Sequence, residues 1–262
     1  MTKSQKDNLF QLVKSLSKSE KRQFKLYVGR LGVNTDSKFL NLFNFLDKAT
    51  TYNETSILEK SGIKKQQLAN VKAHLYKQIL ISLKLSPSHQ NVRSQIREQL
   101  DFASILYHKG LYKQSLKILE KAKEFAILNE EKNLAYEVVE LEKVIESQYI
   151  TRSISSRADE LTIQAKELSA LNVIASKLSN LSLQLYGIIL KSGYVKNEKE
   201  NSYIKNYFYK RMPNYDISQL GFREKLWLYK AHLWYSFLTQ DFLNCYKYSS
   251  KWVTLFYENP IM

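Results

Sequence analysis

Histidine and cysteine are common metal ligands and nucleophiles, and this sequence of 262 residues holds few of them. They are His74, His89, His108, His232 and Cys245. Their spacing is not typical of a metal site, and Cys245 lies in no nucleophile motif. The sequence also lacks GxxxxGK[ST], GxGxxG and GxSxG, which bind nucleotide phosphates or present a serine nucleophile. We therefore expect a protein that is not an enzyme and needs no metal or cofactor.

A group of glutamates is the second candidate for chemistry. Its members are Glu130, Glu131, Glu137, Glu140, Glu142 and Glu146. Two carboxylates can act as a general acid and base only when they face one site. On a helix with about 100° per residue, Glu137 and Glu140 lie nearly opposite the last two members of the group. The spacing therefore favours solvated charge over an acid–base pair.

Polar residues on the predicted helix 64–84 are the third candidate. The apolar side of this helix consists of Leu68, Val71, Leu75, Ile79 and Leu83. Gln66, Asn70 and Lys77 lie opposite that side, with His74 beside them. Such side chains can bind base edges in the major groove, although an ordinary solvated face has the same pattern. Lys72 falls within the apolar arc, and we expect it to extend to the edge of that arc rather than to do chemistry.

The composition predicts that helices carry all of these residues. Seven Gly and three Pro are too few for a protein built from many short strands and turns. Apolar periodicity predicts an all-α protein. The predicted helices span 5–15, 18–31, 37–49, 55–61, 64–84, 96–109, 112–128, 132–149, 155–171, 173–192, 197–210, 221–238 and 241–257.

The first predicted helices carry recognisable start and stop signals. Ser17 and Glu20 have the spacing of a capping box, and Asp36 stands at an N-cap position. Gly62, after Ser61, can end a helix in the left-handed conformation. A helix, a glycine turn and a longer basic helix resemble a helix-turn-helix or winged-helix core. That resemblance implies that residues 64–77 enter the major groove of DNA.

The stretch GLYKQSLKILEKA, residues 110–122, places a glycine between two predicted helices. A small residue, Ala103, precedes it on the first helix, while Gln99 stands where a repeat motif often has tryptophan. The stretch follows a fixed order of residue types: a turn residue, an aromatic, a small, an aliphatic, a bulky and a small residue. In this chain they are Gly110, Tyr112, Ser115, Leu116, Leu119 and Ala122. This pattern resembles one tetratricopeptide repeat of about 34 residues.

Later segments follow the repeat pattern more loosely. Predicted turns at Ser192-Gly193 and Gln240-Asp241 suggest an irregular α-solenoid of antiparallel helix pairs. Solenoids that this one resembles bind peptides or partner helices on a concave surface. Aromatic residues of the last pair would suit such a surface, or else pack between helices: Trp227, Tyr229, Trp234, Tyr235 and Phe237.

Two features divide the chain into two regions: a segment with a helix-breaking proline and an uneven distribution of charge. Residues 82–95 contain Pro87 among Ser, His and Asn, which predicts a helical domain over 1–90 and a repeat domain over 91–262. The net charge is +15, and residues 1–95 contribute +11 of it. Such asymmetry suggests a polyanionic partner. Codon usage in an AT-rich genome is the alternative explanation, since Lys outnumbers Arg 32 to 8 and Arg is the usual ligand of phosphate and guanine.

The last predicted helix, 241–257, has an apolar arc that covers about half of its circumference. A terminal repeat normally ends on a polar outer face. We therefore expect further helical pairs or a homo-oligomer to cover this helix, unless the whole arc packs against the preceding helices. A single cysteine and the absence of a signal-peptide pattern predict a cytoplasmic location, without a membrane partner.

Together these patterns predict a non-catalytic scaffold that binds a protein or peptide on its helical repeats. The alternative is a DNA-binding regulator, in which the first region contacts the duplex and the repeats act as a sensor or oligomerise. Neither interpretation identifies the partner or the biological process.

Overall fold

The computed structural model describes residues 7–30, 38–86, 91–148 and 155–259. Within these ranges the chain forms twelve α-helices and no β-strand, so the all-α prediction is confirmed. Helices pack against their neighbours in adjacent pairs, an arrangement compatible with a helical solenoid. The chain divides into two compact units, Met1–Asn91 and Val92–Met262.

The first unit contains five of the helices, and each coincides closely with a predicted one. They are α1 (Asn8–Ser15), α2 (Lys18–Arg30), α3 (Lys38–Lys48), α4 (Glu54–Ser61) and α5 (Lys65–Lys84). The predicted capping box is confirmed, since the backbone N–H of Ser17 donates to Glu20 Oε2 at 2.7 Å and the N–H of Glu20 donates to Ser17 Oγ at 3.2 Å. The predicted N-cap at Asp36 lies outside the described residues.

The predicted glycine stop between α4 and α5 is also confirmed. Gly62 has φ +65° and ends α4 in the left-handed conformation. Both α4 and α5 pack against α3, and the buried side of α5 contains Leu68, Leu75 and Ile79. These side chains belong to one core with residues from all four other helices of the unit.

The side chain of Lys72 is partly exposed, and a carboxylate lies within its reach. Its ammonium donates to Asp7 and, at 3.0 Å, to the hydroxyl of Tyr52. Burial lowers the pKa of Lys72, but the bonds to Asp7 and Tyr52 outweigh it, so the pKa rises above 10.5. This lysine therefore links α5 to residues preceding α1 and α4.

The second unit contains seven helices. They are α6 (Val92–His108), α7 (Tyr112–Leu128), α8 (Lys132–Gln148), α9 (Ser155–Ser192), α10 (Glu198–Arg211), α11 (Phe222–Leu238) and α12 (Phe242–Glu258). From α6 to α9, each helix packs against the next one in the chain. α9 also packs against α11, and α11 packs against α12. α10 contributes Ile204 and Phe208 to the core that α9 and α11 share.

The prediction of separate helices at 155–171 and 173–192 is wrong, because α9 is continuous over 38 residues. No Gly or Pro interrupts the chain at this point, and Asn172, a residue type that favours helix ends, is held by tertiary contacts. The amide of Asn172 donates to the carbonyl of Lys132 and accepts from Arg223, both at 3.4 Å. As a result, α9 pairs with α8 and mainly with α11, and the predicted pairing of 173–192 with 197–210 is replaced.

Tight left-handed turns connect several consecutive helices. Gly110 has φ +75°, its N–H donates to the carbonyl three residues earlier, and the next N–H donates to the carbonyl five residues earlier, both at 2.9 Å. This is the Schellman arrangement, which satisfies carbonyls at the end of a helix. The same pair of bonds recurs at Glu130 and Gln240, with φ of +57° and +58°, and Gly193 has φ +71°. The predicted turns at residues 110, 193 and 240 are confirmed.

The seam between α6 and α7 forms where small residues allow close approach. Ser115 is fully buried, and its hydroxyl donates to the carbonyl of Ala103 at 2.7 Å. Leu119 and Ala122 are buried beside it. Tyr112 is half-buried and its ring centroid lies 5.8 Å from that of Tyr107.

The interpretation of the glutamates as solvated charge is wrong for Glu142. This carboxylate has no exposed surface and accepts from Lys123 at 2.7 Å and from Arg157 at 3.4 Å. A second buried carboxylate, Glu224 of α11, pairs with Lys132 of α8 at 2.8 Å. Buried charges need such partners, because an unpaired charge in the interior is costly. The wheel argument failed because it considered one helix without its neighbours.

The contrast between two glycines tests the left-handed turn. Gly110→Ala should lower the free energy of unfolding by roughly 1–2 kcal/mol, since an L-residue is strained at positive φ. Gly187 lies inside α9, and an added Cβ would meet no atom within 4 Å. Gly187→Ala should therefore raise the same quantity by about 0.5–1 kcal/mol through helix propensity. Urea denaturation of both variants measures the change in the free energy of unfolding. Changes of the same sign in the two variants would contradict the left-handed turn at Gly110.

Candidate functional site

An open groove lies between α9 and α11 and has a volume of about 500 Å³. Most of its exposed lining is apolar. The residues that line it are Ser179, Asn180, Ser182, Leu183, Tyr186, Trp227, Lys230 and Trp234.

Helical spacing places these residues side by side. On α11, the three lining residues lie at positions i, i+3 and i+7, so they share one face. Large rings on α11 stand against small Ser179 and Ser182 on α9, and this difference in size leaves the space. Buried Leu178 and Leu228 pack together beside the groove and hold the two helices in contact.

The groove combines exposed apolar side chains with one cation. Leu183 is 69% exposed, and the ring of Tyr186 packs against Trp234 with centroids 5.0 Å apart. Lys230 Nζ lies 5.1 Å from the centroid of the Trp227 ring, which is close enough for a cation–π contact. Leu190 continues the exposed stripe of α9, one heptad after Leu183. The site can therefore bind apolar side chains next to a negatively charged group.

Sequence analysis identified only part of this site. Trp227 and Trp234 line the groove, whereas Tyr235 does not line it and stacks on Phe208 of α10 with ring centroids 4.2 Å apart. Trp234 and Tyr235 are both partly buried against the core that α9, α10 and α11 share. Burial raises the pKa of the Tyr235 hydroxyl, with smaller contributions from Tyr209 and Asp241. The α9 residues were missed because only aromatic residues of the last helix pair were considered as a binding surface. Residues 183, 186 and 190 all lie within the predicted helix 173–192, and their spacing of i, i+3 and i+7 places them on one face.

A second, basic groove of about 370 Å³ runs along the other side of α9. It is lined by Lys177, Asn180, Leu181, Gln184, Lys210, Arg211, Met212 and Pro213. The guanidinium carbon of Arg211 lies 3.7 Å from the centroid of the Tyr207 ring, which fixes its position. Asn180 borders both grooves, so the apolar and the basic surfaces adjoin across α9.

α9 also meets the length and composition criteria of a membrane-spanning helix, with a mean hydropathy of 1.3 over its most apolar window. The sequence led us to expect no membrane partner. Only 28% of that window is buried, although α9 packs against α8 and α11, and a single helix of this kind is weak evidence for a membrane span. This property therefore carries little weight by itself.

The apolar arc of α12 is only partly covered. Leu255 is buried, whereas Phe242, Tyr246 and Tyr257 are 73%, 75% and 81% exposed. The alternative in which the whole arc packs against preceding helices is therefore wrong. Coverage by a second copy or by further helical pairs stays a prediction.

The predicted nucleic-acid contacts lie together on α5 in the first unit. Gln66, Asn70, His74 and Lys77 are all exposed. The imidazole of His74 lies against the ring of Phe39, with centroids 5.3 Å apart. This face of α5 is therefore open to solvent, while the role of its side chains stays a prediction.

Metal-ligand groups and the thiol of Cys245 are the remaining candidates for chemistry among the described residues. No group of three or more His, Cys, Asp or Glu side chains there is placed to hold a metal ion. Cys245 of α12 is a free thiol and is partly buried.

Comparison of the chain with protein-family models, with curated proteins and with solved structures gives no match.

The imidazole of His232 on α11 makes folding stability depend on pH. It stacks on Tyr248 with centroids 4.3 Å apart and meets the edge of Phe208. Burial, together with Lys247 and Lys251, lowers the pKa of His232 from 6.5 to about 4. Between those values the unfolded chain binds a proton that the folded chain does not, so stability falls as the pH falls from 6.5 toward 4.

We expect this histidine to contribute roughly 2 kcal/mol to that loss of stability. His232→Phe should remove the contribution while keeping an aromatic stack. Urea denaturation at several pH values measures the difference between the two proteins, with His108→Gln as a control at a different histidine. An unchanged pH dependence in His232→Phe would contradict the assignment.

Proposed function

We propose that this chain is a non-catalytic scaffold whose groove between α9 and α11 binds an acidic segment of a partner protein. The observation that carries the proposal is an open groove lined by half-buried Trp227 and Trp234 and by exposed Tyr186 and Leu183. Aromatic residues dominate the energetics of protein interfaces, and contiguous exposed apolar surface marks binding sites. The left-handed turn and tight seam at Gly110 support the tetratricopeptide-like interpretation of the array, and the single cysteine supports a cytoplasmic location.

The chemistry of the surface indicates the kind of segment. Leu183 and Leu190 of α9 lie seven residues apart on one face, which suits a partner helix with apolar residues at i, i+3, i+4 and i+7. Lys230 lies in the groove, and Lys177, Lys210 and Arg211 line the adjoining basic groove. Complementary charge therefore favours a partner helix with acidic residues flanking its apolar side.

Selection of peptides from a random displayed library on the intact protein tests this function. Enriched peptides should combine Asp or Glu with large apolar residues at helical spacing. Trp234→Ala should weaken their binding at least tenfold, because removal of a central aromatic residue commonly costs about 2 kcal/mol or more. Lys230→Glu should weaken it by like-charge repulsion.

Tyr203→Ala serves as the matched control, since Tyr203 is 63% exposed on α10 and does not line this groove. It should leave peptide affinity unchanged. Peptides that bind Trp234→Ala as tightly as the wild type, or enriched peptides without acidic residues, would contradict the proposal.

DNA binding by the first unit is the second candidate function. It is favoured by the open face of α5, on which Gln66, Asn70, His74 and Lys77 are all exposed, and by the left-handed turn at Gly62 before this helix. These features support, by resemblance, the helix-turn-helix interpretation of α4 and α5.

Selection of bound sequences from a random duplex pool tests that candidate. Asn70→Ala should relax the sequence preference. Lys77→Ala should weaken DNA binding, either through loss of a specific contact or equally for all sequences. Lys117→Ala, an exposed lysine of α7, is the control and should do neither. A wild-type protein that enriches no sequence would count against base recognition by α5.

A further inference from the structure

α2 carries a narrow stripe of exposed cations that lies apart from the face of α5 discussed above. Lys18, Arg22 and Lys25 occupy positions i, i+4 and i+7, within about 60° of one another on a helical wheel. All three side chains are exposed, whereas Phe24 and Val28 on the other side of α2 are buried in the core. The stripe is therefore a surface feature held on a rigid element.

None of these three cations forms an ion pair with a described residue, and the nearby carboxylate is taken by Lys21. The three cations border a shallow concavity of about 450 Å³ with Lys21, Leu26 and Asp47. Asp47 is the one acidic lining residue, and its carboxylate already pairs with Lys21 at 2.8 Å. Its backbone carbonyl accepts from Lys14 at 2.7 Å. Positive charge at the stripe is thus left for an external anion.

The next position of the stripe is Gly29, whose place packing does not explain. An added Cβ there would meet no atom within 4 Å, and its φ is not positive. Glycine is unfavourable in a helix, but it allows a ligand to approach the backbone closely. The stripe therefore ends beside open space that a large ligand can reach.

We propose that the stripe of Lys18, Arg22 and Lys25 binds the phosphate backbone of nucleic acid without reading its sequence. The site lies in a different unit from the groove, so it goes beyond the protein-binding function. Seven residues of helix span about 10 Å, and a DNA duplex carries one charge per about 1.7 Å of its axis. Three cations at this spacing can each neutralise a phosphate.

An anionic membrane is the less favoured ligand. A helix that lies in a membrane surface inserts an apolar face beside its cations. The apolar residues Phe24 and Val28 are committed to the core, and Leu26 is the one large apolar residue of α2 that is exposed. The surface thus offers charge with little to insert.

The salt dependence of binding tests the proposal. A labelled DNA duplex of about 20 base pairs is titrated with the full chain at salt concentrations between about 50 and 200 mM. Replacement of Lys18, Arg22 and Lys25 by Gln should make the slope of log K against log salt shallower by about 2.7, or 0.9 per phosphate contact. The variant Lys18→Arg/Arg22→Lys/Lys25→Arg should keep the wild-type slope.

The matched control is the triple Gln variant at Lys113, Lys117 and Lys121, three exposed lysines on α7 that remove the same charge. It should leave the slope unchanged. Equal slopes for the α2 variant and the wild type, or equal losses in both triple variants, would overturn the proposal. So would preferential binding to phosphatidylserine vesicles over the duplex. If the triple α2 variant loses helicity, Arg22→Gln alone should change the slope by about 0.9.

These outcomes are separable from those for the groove. Peptide binding that depends on Trp234 is a property of the second unit. Replacement of the α2 cations in the intact protein should therefore not affect it. Asn70→Ala of α5 should change the sequence preference but not the backbone contacts of α2.

Discussion

The left-handed turn between consecutive helices is the constraint on which the second unit depends. At Gly110, Glu130 and Gln240, one residue at positive φ reverses the chain, and two backbone hydrogen bonds satisfy carbonyls of the preceding helix. Only one of these residues is glycine, so the other two accept strain that the surrounding structure must offset. Because each turn is so short, the next helix must pack antiparallel to the preceding one and bury its apolar face there.

Close packing then decides which polar groups enter the interior. The hydroxyl of Ser115 meets the carbonyl of Ala103 because both residues are small enough for α6 and α7 to approach. Glu142 is buried with Lys123 as its partner from the neighbouring helix. Such pairs contribute less net stability than apolar contacts would, but loss of one partner leaves a buried charge and is costly. They therefore make the register between adjacent helices specific.

The length of α9 explains where the candidate groove lies. A helix of 38 residues is longer than α8, so it extends past α8 and pairs with α11 as well. Along that second contact, serines of α9 face tryptophans of α11, and the mismatch in size leaves an open space with apolar walls. On its other side, α9 borders the basic groove. One helix thus separates two surfaces of different chemistry, which is the basis for proposing an acidic, amphipathic partner.

The sequence by itself determined the fold class, most of the helix positions, and the turns at Gly62, Gly110, Gly193 and Gln240. These features depend on local properties: apolar periodicity, capping residues, and the tolerance of glycine for positive φ. It also indicated Trp227 and Trp234 as surface candidates, but it grouped Tyr235 with them and divided α9 at residue 172. Only the tertiary structure decided those points, because the environment of Tyr235, Asn172 and Glu142 is supplied by other helices that pack against them. Side chains that belong to one face of an isolated helix are separated into core, groove and solvent only by the neighbours that pack against that face.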